Sequence, residues 1–175
     1  MPDTKLPQIP PEELAERLDR GESLQVLDVR APDKVARGRV AFGPVEFHAL
    51  PNSQIFRLPD VRDLNLDAAR PVAVICGHGN SSKQTTAFLR ERGYDAYSVV
   101  GGMAAWEMVY VARRLSPTPS LSHVIQFDRI GKGALSYVLV SDGDAVIVDP
   151  GRHIERYDVL FTEIGATPAA VVYTH

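Results

Sequence analysis

Short apolar runs alternate with helix-like segments through the first 112 or so residues, and that alternation restricts the fold more than any other feature. LQVLDV (24–29), VAVIC (72–76) and AYSVV (96–100) read as strands, and VAVIC has no polar residue to mark an exposed face. PEELAERLDRG (11–21) reads as a helix, with Pro11 and two glutamates at its start and Gly21 at its end. SSKQTTAFLRERG (81–93) reads as another, with Ser81 or Ser82 near the N-cap and Gly93 as the stop. GGMAAWEMVYVARR (101–114) returns to helix. Strands separated by helices imply parallel pairing, with helices covering the faces of an open sheet. The stretch from about Gly38 to Pro59 is irregular and leaves its elements unordered.

RRLSPTPSLS (113–122) interrupts the pattern with two prolines and three serines, the composition of a linker. Beyond it, VIQFD is strand-like, and SYVLVSDGDAVIVDPG is a hairpin turning at Asp142-Gly143. HIERYDVLFTEIGA is helix-like and PAAVVYTH a closing strand. The organisation expected is therefore a first domain over 1–112, a linker over 113–122, and a second segment over 123–175. That second segment is short for a core of its own, since small domains bury a smaller share of their surface. Its expected state is the opening of a larger, incomplete α+β domain, whose last strand, Ala169 to Tyr173, presents an unpaired edge that favours self-association unless another element covers it.

Composition excludes several partner classes. With 45% hydrophobic and 23% charged residues the chain is globular. A net charge of −3 gives no basis for nucleic-acid or anionic-membrane binding. No apolar run approaches the roughly 18 residues of a membrane span, and MPDTKLPQIP lacks the apolar stretch of a signal peptide. A single cysteine rules out an intrachain disulfide, so a cytoplasmic, reducing location is expected.

That cysteine, Cys76, sits where VAVIC breaks into GHGNSS. Strand, loop, helix aims successive backbone N–H groups at one point above a helix N-terminus, which attracts anions and lowers a thiol pKa there. Gly77 and Gly79 would let the backbone curl around the sulfur. The competing reading is a buried packing cysteine. The two glycines and the helix that follows favour a nucleophile whose bound anion is held by residues 77–81.

CGHGNSS, with LDVR upstream and GGMAAW downstream, resembles the rhodanese sulfurtransferases, particularly the single-domain thiosulfate type, over about residues 8–112. The resemblance implies a rhodanese-like open parallel sheet flanked by helices. It also implies sulfane-sulfur transfer through a Cys76 persulfide, with Gly77, His78, Gly79, Asn80 and Ser81 as the binding loop. Thiosulfate or a small persulfide would be the donor, a thiol the acceptor, and no cofactor would be needed. The related phosphatases carry Cys-x5-Arg, whereas the sixth residue after Cys76 is Ser82, so the guanidinium that would clamp a phosphoryl group is missing. Asp28 and Arg30 match the family's Asp-x-Arg signature and also suit a structural ion pair. Ser82, with Ser81, suits a helix cap, His78 an entry for anions or an incidental loop position, and Lys83 an anion attractor or a solvated helix lysine. Trp106 and Gly101-Gly102 read as packing and turn elements. RGRVAFGP departs from the family's usual stretch after Asp-x-Arg.

SYVLVSDGDAVIVDPG followed by AAVVYTH is similar to the start of metallo-β-lactamase-fold hydrolases and persulfide dioxygenases. There a Thr-His pair opens a His-x-His-x-Asp-His metal motif, which makes His175 a first ligand of a truncated set. One imidazole cannot form a site that wants three or more ligands, so no metal is expected in this chain. Two functions remain: a sulfurtransferase, or a non-catalytic sulfur-binding or regulatory module of a larger metallohydrolase or persulfide-dioxygenase fusion.

Overall fold

The computed structural model describes residues 6–175, so the first five residues of the expected 1–112 domain lie outside the described residues. The chain forms two compact units. One runs to Val109 and includes Ile130–Lys132, and the other comprises Tyr110–Arg129 and Gly133–His175.

The first unit is built on an all-parallel sheet of β1 (Gln8–Ile9), β2 (Gln25–Asp28), β3 (Glu46–Ala49), β4 (Val72–Ile75) and β5 (Ala96–Val99), in the order β1-β5-β4-β2-β3. Every residue of β2 and β4 is buried, which explains why these strands lack an alternating pattern. The helices are α1 (Pro11–Asp19), α2 (Pro32–Ala36), α3 (Asn52–Ile55), α4 (Ser81–Arg90) and α5 (Gly102–Trp106). Helix α1 buries Leu14, Ala15 and Leu18 with Val26, Ala73, Ile75 and Trp106 on one face of the sheet. Leu89 of α4 packs with Leu27, Val72, Val74 and Ile55 on the other. The irregular middle of the sequence supplies β3, an edge strand whose residues are only half-buried or exposed, and α3.

Buried polar groups in this unit find distant partners. Gln25, fully buried in β2, donates from Nε2 to the Asp67 carbonyl at 2.9 Å and accepts from the Asp67 N–H at 2.8 Å. Those two bonds satisfy an amide that burial would otherwise penalise.

The second unit is a sheet of β6 (Val111–Leu115), β7 (His123–Arg129), β8 (Ala134–Ser141), β9 (Asp144–Val148) and β10 (Thr167–Val172), antiparallel except for the parallel β9–β10 pair. Asp142 (φ 50°) and Gly143 (φ 87°) make the β8–β9 turn, both left-handed as a two-residue hairpin requires. Helix α6 (Glu155–Ile164) ends at left-handed Gly165 and buries Tyr157, Leu160 and Phe161 against Ile125, Phe127, Val138 and Ile147. This gives the second unit a core on one side of its sheet. Strand β10 lies at the sheet edge, paired on one side with β9, and all six of its residues are exposed. Among the described residues no helix is long and apolar enough to cross a membrane.

Two expectations need correction. The helix expected over 101–114 stops at Trp106, and Val111–Leu115 instead pairs with β7, Val111 opposite Asp128 and Leu115 opposite Val124. β-branched Val109 and Val111 flank Tyr110 in this stretch, and such residues favour a pleated strand once a partner is available. For the same reason the linker expected over 113–122 begins inside a strand, and the unit boundary falls after Val109 rather than at 112. Within the remainder, Thr118 and Leu121 bridge one another in a tight turn.

Candidate active site

Three strands end side by side at the carboxyl edge of the first sheet, where open α/β sheets bind ligands. Strand β2 ends in Asp28, Cys76 follows the last residue of β4, and β5 carries Ser98. The Cys76 side chain is 2% exposed. Its Sγ accepts from the Gly79 N–H at 3.1 Å and lies 3.3 Å from Ser82 Oγ. Ser82 Oγ is in turn 2.9 Å from Ser98 Oγ, and both serines are fully buried.

Backbone geometry turns the loop amides inward. Gly79 has φ 81°, and a Cβ there would come within 2.7 Å of the Gly101 nitrogen. Gly102 (φ 59°) is tighter still: its Cβ would stand 2.3 Å from the Cys76 carbonyl oxygen. Gly77, by contrast, has open space around it, so only one of the two loop glycines is demanded by the curl. The Met103 N–H donates to the Cys76 carbonyl at 2.7 Å and the Ala104 N–H to the Gly77 carbonyl at 3.0 Å. Those carbonyls are thereby tied to the start of α5 on the outside of the loop. The GGMAAW stretch is therefore the back wall of the loop as well as a turn.

Burial by itself pushes the Cys76 thiol up, but hydrogen bonds from the Ser82 and Ser81 hydroxyls and from the Ser82 and His78 amides outweigh it, bringing the pKa to about 7. Thiolate absorbance, which reports a single cysteine here, should therefore titrate with a midpoint near pH 7 in the folded protein. The sign for stability follows from linkage: the folded thiol ionises below the unfolded one, whose usual value is about 9. This stabilisation is complete above the unfolded value and is lost as pH falls through about 7. A folded-state midpoint at or above the free-thiol value would refute this account of the loop.

Asp28 and Arg30 form a fork. Arg30 Nε lies 3.0 and 3.1 Å from the two Asp28 oxygens, and Nη2 is 2.7 Å from Oδ2. Nη2 also donates to the Gly38 carbonyl at 2.6 Å, and the Arg30 N–H caps Asp28 Oδ1 at 3.0 Å. Asp28 is fully buried, so the structural ion pair read from the sequence is present.

Arg30 also lines a cavity of about 460 Å³ together with Ala31, Lys34, Gly77, His78, Met103, Ala104 and Glu107. Asp28 offsets the Arg30 charge, and Lys132 pairs with Glu107 at 2.5 Å. His78 is exposed and faces this cavity. Asn80 occupies the N-cap position of α4 without a side-chain capping bond, and Ser81 is the first helical residue. Ser82 is no cap: its hydroxyl points to Cys76 and Ser98. Lys83 is exposed on α4 and takes no part in lining the cavity. Lys34, Glu107 and Ser98 escaped the sequence reading. Lys34 lies in α2, between the LQVLDV strand and the irregular stretch, where the sequence reading placed no element, and nothing near Ser98 in sequence links it to Cys76. In the second unit, the Thr174 N–H donates to Asp149 Oδ1 at 2.7 Å, and His175 Nδ1 lies 3.8 Å from Asp149 Oδ2.

A parallel α/β domain with its one cysteine buried in the loop between a strand and a helix defines a class of cysteine-centred α/β domains. Residues 10–108, more than half of the chain, match the rhodanese-like domain model, and the chain belongs to that family. Thiosulfate sulfurtransferase GlpE of Pseudomonas putida is 37% identical over 106 residues, covering 60% of this chain and 88% of the relative. A rhodanese-like domain protein from Staphylococcus aureus, known by crystal structure, is 27% identical, with a TM-score of 0.48 over 57% of this chain and 90% of that one.

Proposed function

We propose that this chain is a sulfurtransferase that moves sulfane sulfur from thiosulfate or a low-molecular-weight persulfide to a thiophilic acceptor, using Cys76 as the carrier. The observation that carries this reading is the Cys76 sulfur itself, held between the Gly79 amide and the Ser82 hydroxyl with its pKa near 7. In the first half-reaction the Cys76 thiolate attacks the outer sulfur of thiosulfate. A new S–S bond forms, the old one breaks, and sulfite leaves with the electron pair. With a persulfide donor the leaving group is the parent thiolate. The terminal sulfur of Cys76-S–S⁻ then lies over the loop, where the amides of residues 77–81 stabilise its charge. An acceptor thiolate attacks that terminal sulfur and releases Cys76 as thiolate. The scheme needs one cysteine and no cofactor.

The GlpE relative carries thiosulfate sulfurtransferase in its name, which supports the same donor here. Position 82 supports sulfur over phosphoryl chemistry, because a buried serine hydroxyl cannot hold a phosphoryl group through two parallel N–H···O bonds as a bidentate guanidinium does. Intact-mass measurement tests the proposal. Brief thiosulfate treatment should add one sulfur per chain, and cyanide should remove it. An equal gain in Cys76→Ala would refute the assignment.

We further infer that the arrangement of residues 123–175 is metallo-β-lactamase-like. The hairpin, the helix and the parallel closing strand that brings Thr174 and His175 beside Asp149 support that reading.

A further inference from the structure

Ser82 has one hydroxyl proton and two polar neighbours, Cys76 Sγ at 3.3 Å and Ser98 Oγ at 2.9 Å. All three side chains are buried, so each hydrogen bond is fixed by the others rather than by water. A thiolate can only accept. For Ser82 to stabilise it, the Ser82 proton must point at sulfur, and its lone pair must then be served by another donor. Ser98 is the neighbour in place to do so.

We propose that Ser98 is a positioning residue for Cys76: its hydroxyl donates to Ser82 Oγ and so commits the Ser82 proton to the sulfur. Ser98 never touches the sulfur in this arrangement. It acts through Ser82 and is held by β5, whose Ser98 pairs in register with Val74 of β4 and with Gln8 of β1. The Ser98 N–H is itself bonded to the Pro7 carbonyl at 3.1 Å, which holds the residue from the other side. Without the Ser98 donor, nothing commits the Ser82 proton to the sulfur. When the thiol is protonated the chain can run the other way, from Cys76 S–H to Ser82 to Ser98. The two serines therefore favour whichever direction the charge on sulfur demands, and Ser98 contributes to thiolate stability only while Ser82 is present.

The inference assumes that Cys76 is the reacting group, but its test reads thiol ionisation and needs no turnover. Thiolate absorbance is followed against pH for the wild type, Ser98→Ala, Ser98→Gly, Ser98→Thr, Ser82→Ala and the Ser82→Ala/Ser98→Ala double variant, with thermal unfolding as a check on folding. Loss of one hydrogen bond in the relay should raise the midpoint by about half to one pH unit in Ser98→Ala, a roughly two- to fivefold fall in thiolate at pH 7. Ser98→Gly, a second hydroxyl-free variant, should shift it likewise, and Ser98→Thr should restore the wild-type value. The double variant should match Ser82→Ala alone, because a relay has no effect once its middle member is gone. An unchanged midpoint in both folded hydroxyl-free variants would overturn the proposal. So would additive shifts in the double variant, since Ser98 would then act on the sulfur by another route. Absence of sulfur transfer by the wild type, with these shifts intact, would instead count against the sulfurtransferase reading alone.

Discussion

Cys76→Ser should lower thiosulfate-dependent sulfur transfer to cyanide by on the order of a thousandfold or more, because the nucleophile carries the covalent intermediate. Serine keeps the size of the side chain and its bond from Gly79, 3.1 Å away in the wild type, so folding should be little affected. The hydroxyl stays protonated at neutral pH and offers no soft sulfur to accept another. Donor binding should survive, since the loop amides, Gly102 and the cavity residues are untouched. The expected signature is a collapse in kcat without loss of thiosulfate binding, measured by equilibrium binding on the variant. Residual turnover within tenfold of wild type would mean that the sulfur passes directly from donor to acceptor.

Arg30→Ala should be the most destabilising single change at the site. Asp28 is fully buried, and its two oxygens receive three side-chain contacts from Arg30 at 2.7–3.1 Å. Truncation leaves that carboxylate with the backbone N–H of residue 30 as its remaining contact from this fork. Stranding a buried charge in this way costs about 3–5 kcal/mol, read from urea unfolding. Asp28→Asn in the Arg30→Ala background should recover part of the stability. A loss under about 1 kcal/mol would contradict a structural role for the pair. Arg30 also lines the cavity, so the surviving folded variant should show a weaker apparent affinity for anionic donors.

Much of this site is readable along the chain because the chemistry is local. Cys76, the Gly79 curl and the start of α4 occupy consecutive residues, and Asp28 and Arg30 are two apart. Turn chemistry is equally local: left-handed Gly21, Gly93 and Gly165 close helices, and Asp142-Gly143 makes the hairpin. The departures arise where a distant partner decides. MVYVARR has the residues of either a helix or a strand, and four of them, Val111 to Arg114, pair with Asp128 to Ile125 of β7, 11 to 17 residues further along the chain. β3 likewise emerges from an irregular stretch only because β2 offers it four paired residues.

The sequence by itself determined the alternation of buried strands and helices, the thiol at a strand end, and the missing arginine at position 82, since periodicity and loop composition are properties of neighbouring residues. Only the tertiary structure decided that Ser82 faces sulfur rather than capping its helix, that Ser98 stands behind it, and that Gly102 walls the loop. These contacts join strands β4 and β5 and the helices after them, and hydrogen bonds between segments leave no periodic trace in either one. Their existence depends on strand order, which packing of the whole sheet sets.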